Sequence, residues 1–164
     1  MTTREARRED AAAIARIYNE GIEDGLATFE TRPRGPEEIE GWLADGVPVV
    51  VGEEDGAAVS WAAAHPYRPD RRCYEGIGEF SVYVAREARG RGAGRATLAA
   101  LADECERGGY WKLLSRIFPE NQASLALCRS LGFREVGMYS RHGKLDGEWK
   151  DVVIVELLLG EARA

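Results

Sequence analysis

Arg89-Gly90-Arg91-Gly92-Ala93-Gly94 lies between the apolar run Phe80-Ser81-Val82-Tyr83-Val84 and the segment Arg95-Ala96-Thr97-Leu98-Ala99-Ala100-Leu101. That order reads as strand, glycine-rich loop and helix. Glycines let backbone N–H groups converge without interference from Cβ. The start of a helix adds unpaired N–H donors and the positive end of a dipole. Together they make a cradle for phosphate oxygens. Arg86, Arg89, Arg91 and Arg95 place positive charge around it.

The loop lacks the Gly-Lys-Ser/Thr ending of a nucleotide P-loop. It also lies past mid-chain, after several strand-like runs without crossover helices, which argues against a dinucleotide fingerprint. Further on comes Phe118-Pro119-Glu120-Asn121-Gln122-Ala123-Ser124, then Leu125-Ala126-Leu127-Cys128-Arg129-Ser130-Leu131-Gly132-Phe133. Asn121 suits a helix N-cap and Gly132 a helix terminator. The spacing Arg89-x-x-Gly92-x-Gly94, followed by an Asn-led helix closing in Gly-Phe, resembles the two cofactor elements of the GNAT superfamily of N-acetyltransferases. The resemblance implies a mixed α/β (α+β) fold with a central twisted, mostly antiparallel sheet flanked by helices. It also implies acetyl-CoA as cosubstrate.

Composition narrows the alternatives. A chain of 164 residues with 45% hydrophobic content is long enough for one domain with a sizeable core, expected to span residues 1–164. A net charge of −6 argues against nucleic acid as a main partner. Cys73, Cys105 and Cys128 are far apart and give neither a disulfide framework nor a zinc pattern. With only His65 and His142, no multi-histidine metal site is possible, and no metal is expected. No apolar run is long enough to span a membrane, and Met1–Glu5 has no apolar signal region. A cytoplasmic location without a membrane partner is the expectation.

Along the chain, Thr2–Arg7 reads as an opening strand. A helix is expected from a cap at Asp10 to about Asn19, with Ile14, Ile17 and Tyr18 on one face. Gly21–Pro33 is mixed and expected to line something. Gly35-Pro36 starts a short helix through Leu43. Val47–Val51 and Ala57–Ala64 pair across Glu54-Asp55-Gly56. Tyr67–Cys73 is a loop, Gly76–Val84 a strand, Gly92–Gly108 a helix and Lys112–Phe118 a buried strand. Arg134–Arg141 and Trp149–Leu158 close the sheet around Asp146-Gly147.

A closer resemblance covers nearly the whole chain. Ala27-Thr28-Phe29-Glu30-Thr31-Arg32-Pro33, Pro66-Tyr67-Arg68-Pro69, Tyr74, Glu79-Phe80-Ser81-Val82-Tyr83-Val84 and Gly147-Glu148-Trp149-Lys150-Asp151-Val152 resemble phosphinothricin-type acetyltransferases. Within that group, Tyr110 through Asn121 looks most like the branch that acetylates arsinothricin. The resemblance implies a small amino-acid substrate acetylated on its α-amine, resistance by detoxification, and a homodimer. Exposed apolar residues near Tyr139 and Trp149 could serve the dimer or the core.

The chemistry needs a base for the amine and an N–H donor for the thioester oxygen. Glu79 is the candidate base. It shares a strand face with Ser81 and Tyr83, opposite Phe80, Val82 and Val84. Desolvation in so apolar a strand is expected to make it a better proton acceptor. The competing reading is a strand-end carboxylate paired with an arginine. Glu75, nearer the loop, is the weaker rival.

The family resemblance assigns the cofactor to Val82, Tyr83, Val84, Arg89, Gly90, Arg91, Gly92, Ala93, Gly94, Arg95, Asn121 and Ser124. Tight-turn, solvated-charge, core and helix-cap roles compete at these positions. Thr28, Phe29 and Tyr83 are expected as pocket walls, and the resemblance places Arg68, Arg71 and Arg72 where basic residues face the two anionic groups of the substrate. A solvated charged loop competes for the arginines, and core packing for the other three. Cys128 stands where many relatives carry a tyrosine acid, and reads more readily as a buried helix residue. His142 could orient substrate or assist proton transfer, but reads more readily as a lone turn histidine with neither role. Unclustered cysteines argue against capture of trivalent arsenic by sulfur. Two further functions remain open: acetylation of methionine sulfoximine, methionine sulfone or peptide N-termini, and noncatalytic acyl-CoA binding.

Overall fold

The computed structural model describes residues 1–164, and its plan follows from one parallel junction in an otherwise antiparallel sheet. The strands are β1 (Thr2–Glu5), β2 (Val49–Glu54), β3 (Ala57–Pro66), β4 (Ile77–Val84), β5 (Lys112–Ile117), β6 (Arg134–Leu145) and β7 (Glu148–Leu158). They lie in the order β1-β2-β3-β4-β5-β7-β6. Only β4 and β5 run parallel. A parallel neighbour needs a crossover, and here it is α3 (Ala93–Arg107).

Two hairpins carry the antiparallel halves. Asp55-Gly56 and Asp146-Gly147 both sit at positive φ, the geometry of a tight two-residue turn that matches strand twist. Both follow the Asp-Gly pairs expected to turn the chain.

The sheet's alternation loads both faces. Phe80, Leu113, Ile117 and Val155 pack with Leu98, Leu101 and Cys105 of α3 and with Leu125 and Cys128 of α4 (Gln122–Ser130). Val49, Val51, Trp61, Ala63 and Tyr83 pack on the other face with Ile14 and Ile17 of α1 (Ala11–Asp24), and with Ile39 of α2 (Pro36–Ala44). The result is a mixed α/β fold with helices on both faces of a mostly antiparallel, seven-stranded sheet.

The structure departs from the sequence expectation in several places: β1 stops at Glu5, short of Arg7, and β2 runs from Val49 to Glu54. Helix α1 continues to Asp24 instead of ending near Asn19. Gly21 lies inside it because a Cβ there would stand 2.5 Å from ring carbons of Tyr83. The turn is made by Gly25, at φ +69. Asp10 does not cap α1 with its side chain; its carboxylate accepts from Arg7 N at 2.7 Å and from Arg4 Nη1 at 2.8 Å. Strand β6 runs past Arg141 to Leu145. Its register slips between Tyr139 and Gly143, where Arg141 takes φ +48, and the strand then resumes pairing.

Candidate active site

The β4–β5 ladder is short. It pairs Ile77 with Lys112, Gly78 with Leu113 and Glu79 with Leu114, and then stops. Beyond it β4 stays on β3 as far as Val84, and β5 stays on β7 as far as Ile117. The two halves of the sheet therefore splay apart after Glu79. Ser115 Oγ donates to Phe80 O at 2.9 Å across the start of the split.

The split opens into a groove. One stretch, about 550 Å³, lies against the start of α3; the other, about 180 Å³, lies at Glu79. Ala27, Val82, Tyr83, Asn121 and Ser124 line both, so the two stretches are continuous.

The α3 end is made mostly of backbone. Gly90 and Gly92 sit at φ +77 and +83. Gly92 occupies the N-cap and has no side chain to satisfy the first turn, which leaves N–H donors of that turn free for an anion. Gly94 keeps the helix close to its surroundings: a Cβ there would lie 2.8 Å from Leu127 Cδ1 and 3.3 Å from Val84 Cγ2. Gly90, Gly92, Ala93, Gly94, Arg89 and Arg95 all line this stretch.

The loop arginines are engaged and do not form a free cationic ring. Arg89 Nε donates to Val84 O at 3.1 Å, and its Nη1 lies 2.8 Å from Asp24. Arg86 pairs with Asp24 and Glu23, each at 2.9 Å. The Arg86 hydrogen bond, joined by Arg89, holds the Asp24 carboxyl below the usual carboxylate range. Arg95 Nε donates to Ser130 Oγ at 3.2 Å. Arg91 does not line the groove; it reaches Glu54 at 3.2 Å.

The free edge of β4 forms the middle of the groove. Ala85 N donates to Val59 O of β3. By alternation, Phe80, Val82 and Val84 turn their N–H and C=O groups towards the split. Two of those carbonyls are taken, Phe80 O by Ser115 and Val84 O by Arg89. Val82 presents its pair to the groove. Opposite stands the start of α4, where Asn121 Oδ1 accepts from Ser124 N at 3.2 Å. Asn121 thus caps the helix and lines the groove at once. Cys128 closes the floor, and burial pushes its thiol up to about 12.

At the other end Glu79 lines the wall, but its surroundings are not the apolar enclosure expected from the sequence. Its side chain is 27% exposed and its Oε2 lies 2.5 Å from Arg116 Nη2. Strand pleating accounts for this. Leu113 and Ile117 face the α3 core, so Leu114 and Arg116 point to the opposite face. Leu114 is the register partner of Glu79, and Arg116 is two residues further along. Behind Glu79, His65 is its cross-strand partner on β3. His65 stands edge-on to Trp42 at 4.7 Å, and burial holds its pKa below the ordinary histidine value.

Thr28, Phe29 and Tyr83 all line the Glu79 end. Phe29 packs edge-on against Phe118 at 4.9 Å, with Gly143 beneath it, where a Cβ would come within 2.8 Å. Tyr83 stacks on Trp61 at 5.0 Å and meets Tyr18 at 5.1 Å; its burial pushes the phenol upward.

Arg68, Arg71 and Arg72 do not reach this groove. They are exposed and border a separate hollow of about 330 Å³ within the Pro66–Ile77 segment. Arg71 faces the Tyr74 ring at 6.0 Å, and Arg72 lies 3.9 Å from Glu75. Glu75 therefore sits with that loop and not at the groove. The cation at the groove's Glu79 end is Arg116, which sequence reasoning passed over. Its alternation with Leu113 and Ile117 was visible, but the register of β5 on β4 was not. Asp24 and Leu127, both lining the α3 end, were also passed over. No group of three His, Cys, Asp or Glu side chains is placed to hold a metal ion. No helix is long and apolar enough to cross a membrane.

A groove between splayed parallel strands, ending at a helix N-terminus, suits an extended ligand with an anionic tail and a reacting head beside Glu79. Residues 13–133 match the model of the acetyltransferase (GNAT) family. The chain is 36% identical to a phosphinothricin N-acetyltransferase of Alcaligenes faecalis, over 94% of this chain and 81% of that protein. It is 33% identical to an L-methionine sulfoximine/L-methionine sulfone acetyltransferase of Salmonella typhimurium, over 100% of this chain and 98% of that protein. Among solved structures, a phosphinothricin acetyltransferase of Sinorhizobium meliloti in complex with AcCoA superimposes with a TM-score of 0.89. It is 33% identical and covers 98% of this chain and 89% of its own. Family match and fold agree, and the chain belongs to the acetyltransferase (GNAT) family of N-acetyltransferases.

Proposed function

We propose that this protein transfers the acetyl group of acetyl-CoA to the α-amine of phosphinothricin-like amino acids, with arsinothricin or phosphinothricin as substrate. The observation that carries the reading is the continuity of the groove from the free N–H groups of α3 to Glu79. The phosphates fit the Gly90–Arg95 segment, with Arg89 and Arg95 beside it. Pantetheine fits the free edge of β4 at Val82, opposite Asn121 and Ser124. Arg91, turned to Glu54, is left as a contact at the mouth of the loop. Acetyl-CoA supplies the acyl group as an activated thioester.

Glu79 takes the proton of the amine, directly or through a water, so that a neutral nitrogen attacks. The N–H of Val82 faces the charge that builds on the acetyl oxygen. Cys128, held as a buried neutral thiol, is a poor proton donor at neutral pH, so water protonates the departing CoA sulfur. Thr28, Phe29 and Tyr83 shape the amine's pocket. Acetylation removes the positive charge of the amine, which is the detoxifying step. Exposed apolar side chains for a homodimer are present on β6 and β7, at Val136, Met138, Tyr139 and Trp149.

The relatives that act on methionine sulfoximine and methionine sulfone favour a second substrate class at the same site. Acetyl-CoA-dependent thiol release tests the reading, run with arsinothricin, phosphinothricin, methionine sulfoximine and a free-amine peptide side by side. Preference for either of the first two is expected. Peptide-only turnover would move the function to protein acetylation. Acetyl-CoA binding with no turnover of any amine would leave only a binding module.

A further inference from the structure

At the Glu79 end of the groove the lining holds a single cationic side chain, Arg116. Its Nη2 is committed to Glu79 Oε2 at 2.5 Å. No protein donor reaches Glu79 Oε1, and no protein acceptor takes Arg116 Nε or Nη1. Both side chains are open to solvent, Arg116 at 46% and Glu79 at 27%. The other acid at this end, Glu30, is occupied by Arg34 at 2.5 Å. The groove therefore offers a fixed pair of opposite charges, each with an unused side.

We infer that the Glu79–Arg116 ion pair reads the zwitterion of a free α-amino acid, with Arg116 binding the α-carboxylate while Glu79 receives the α-ammonium. The inference deepens the proposed function and rests on it for the identity of the base. Standard bond lengths put the nitrogen and nearest carboxylate oxygen of an α-amino acid roughly 2.7 Å apart. That spacing matches the Glu79–Arg116 contact. An α-amino acid laid across the pair places each charge on its opposite without breaking the bond already present.

Guanidinium and carboxylate are also geometrically matched: the second N–H of Arg116 Nη2 can fork with an N–H of Nε or Nη1 onto two oxygens. A peptide N-terminus or an amino-acid amide carries the ammonium but offers no anion. It leaves the guanidinium's free donors unmatched. The pair thus sets selectivity for free amino acids, in a position where the loop arginines Arg68, Arg71 and Arg72 do not reach. It divides the labour of recognition, the backbone-facing charges going to Arg116 and the side-chain group to other residues.

The test compares phosphinothricin and methionine sulfoximine with their α-carboxamides, on wild type, Arg116→Gln and Arg116→Lys. Binding to the CoA complex, which has no acetyl group to transfer, is measured by calorimetry, and kcat/KM by thiol release with acetyl-CoA. Wild type is expected to prefer acid over amide by roughly 10- to 100-fold, the range for hydrogen bonds to a charged group. In Arg116→Gln that ratio collapses towards one, and Arg116→Lys recovers part of it. An equal acid-to-amide ratio in wild type and Arg116→Gln overturns the inference, as does failure of either acid to bind wild type. Turnover without discrimination would remove the inference and keep the acetyltransferase reading. Discriminating binding without turnover would do the reverse.

Discussion

The two ends of the groove are built from different materials. At the α3 end the ligand-facing groups are N–H donors of one contiguous segment, shaped by Gly90, Gly92 and Gly94. At the Glu79 end they are side chains from β4, β5 and the Ala27–Glu30 segment after α1, brought together only by the sheet's topology. On the proposed function the first end binds and anchors the cosubstrate, and the second selects the amine and moves its proton. A backbone site tolerates changes in side-chain chemistry but not in local conformation. A side-chain site has the opposite sensitivity.

The largest effect that would sharpen this contrast is on chemistry. Glu79→Gln keeps the side chain's shape and removes the proton acceptor, so kcat should fall by about 10²- to 10⁴-fold near neutral pH. Steady-state thiol release at saturating substrates measures it, and an unchanged kcat would strip Glu79 of its role. Next comes the backbone end. Gly92 stands at φ +83, where a β-branched residue costs about 1–2 kcal/mol. Gly92→Val should therefore weaken acetyl-CoA binding by about tenfold, read by calorimetry. Retained affinity would mean that the loop's conformation is not what binds.

Packing behind the groove gives a third, structural test. A methyl at Gly21 would press into the Tyr83 ring at 2.5 Å. Gly21→Ala should cost about 1–3 kcal/mol in denaturant unfolding, as overpacking does. A neutral result would show that α1 can shift on β4 without strain.

Smaller effects come from groups outside the reaction. Burial, the main cause, holds His65 below the ordinary value of 6.5, with Glu79 opposing in part. The folded protein then takes up this proton at lower pH than the unfolded chain does. Stability is full above pH 6.5 and declines as pH falls through the folded pKa. His65→Gln should flatten the fall in unfolding midpoint between pH 7 and pH 5, and an identical slope would argue against it. Cys105 and Cys128 are buried with thiols pushed up to about 12, whereas Cys73 is exposed. One rapid equivalent in a thiol-labelling assay at pH 8 is expected, and three would mean that the α3–α4 side of the core opens readily.

The same contrast explains what the sequence made legible. The glycine loop, the Asn121 cap and the Asp-Gly hairpins are local signals, each a few residues long with its chemistry in the backbone. They sit where the sequence placed them. The end of α1 was misjudged because Gly21 reads as a terminator, while its real partner, Tyr83, is far away in the chain. Arg116 escaped notice because its importance depends on a three-pair register between β4 and β5. The resemblance pointed to Arg68, Arg71 and Arg72, but a place in the chain does not fix where a loop points, and they border a separate hollow. Glu79 lies in the groove on the strand face expected from alternation, though its neighbour is a guanidinium and not the apolar wall expected.

The most direct test crosses the two ends in one experiment. Glu79→Gln and Gly92→Val are each measured for acetyl-CoA Kd and for kcat at saturating acetyl-CoA. A divided groove predicts that Kd moves in Gly92→Val alone and kcat in Glu79→Gln alone. If both variants shift both quantities together, binding and chemistry are not separated along the groove, and the account is contradicted.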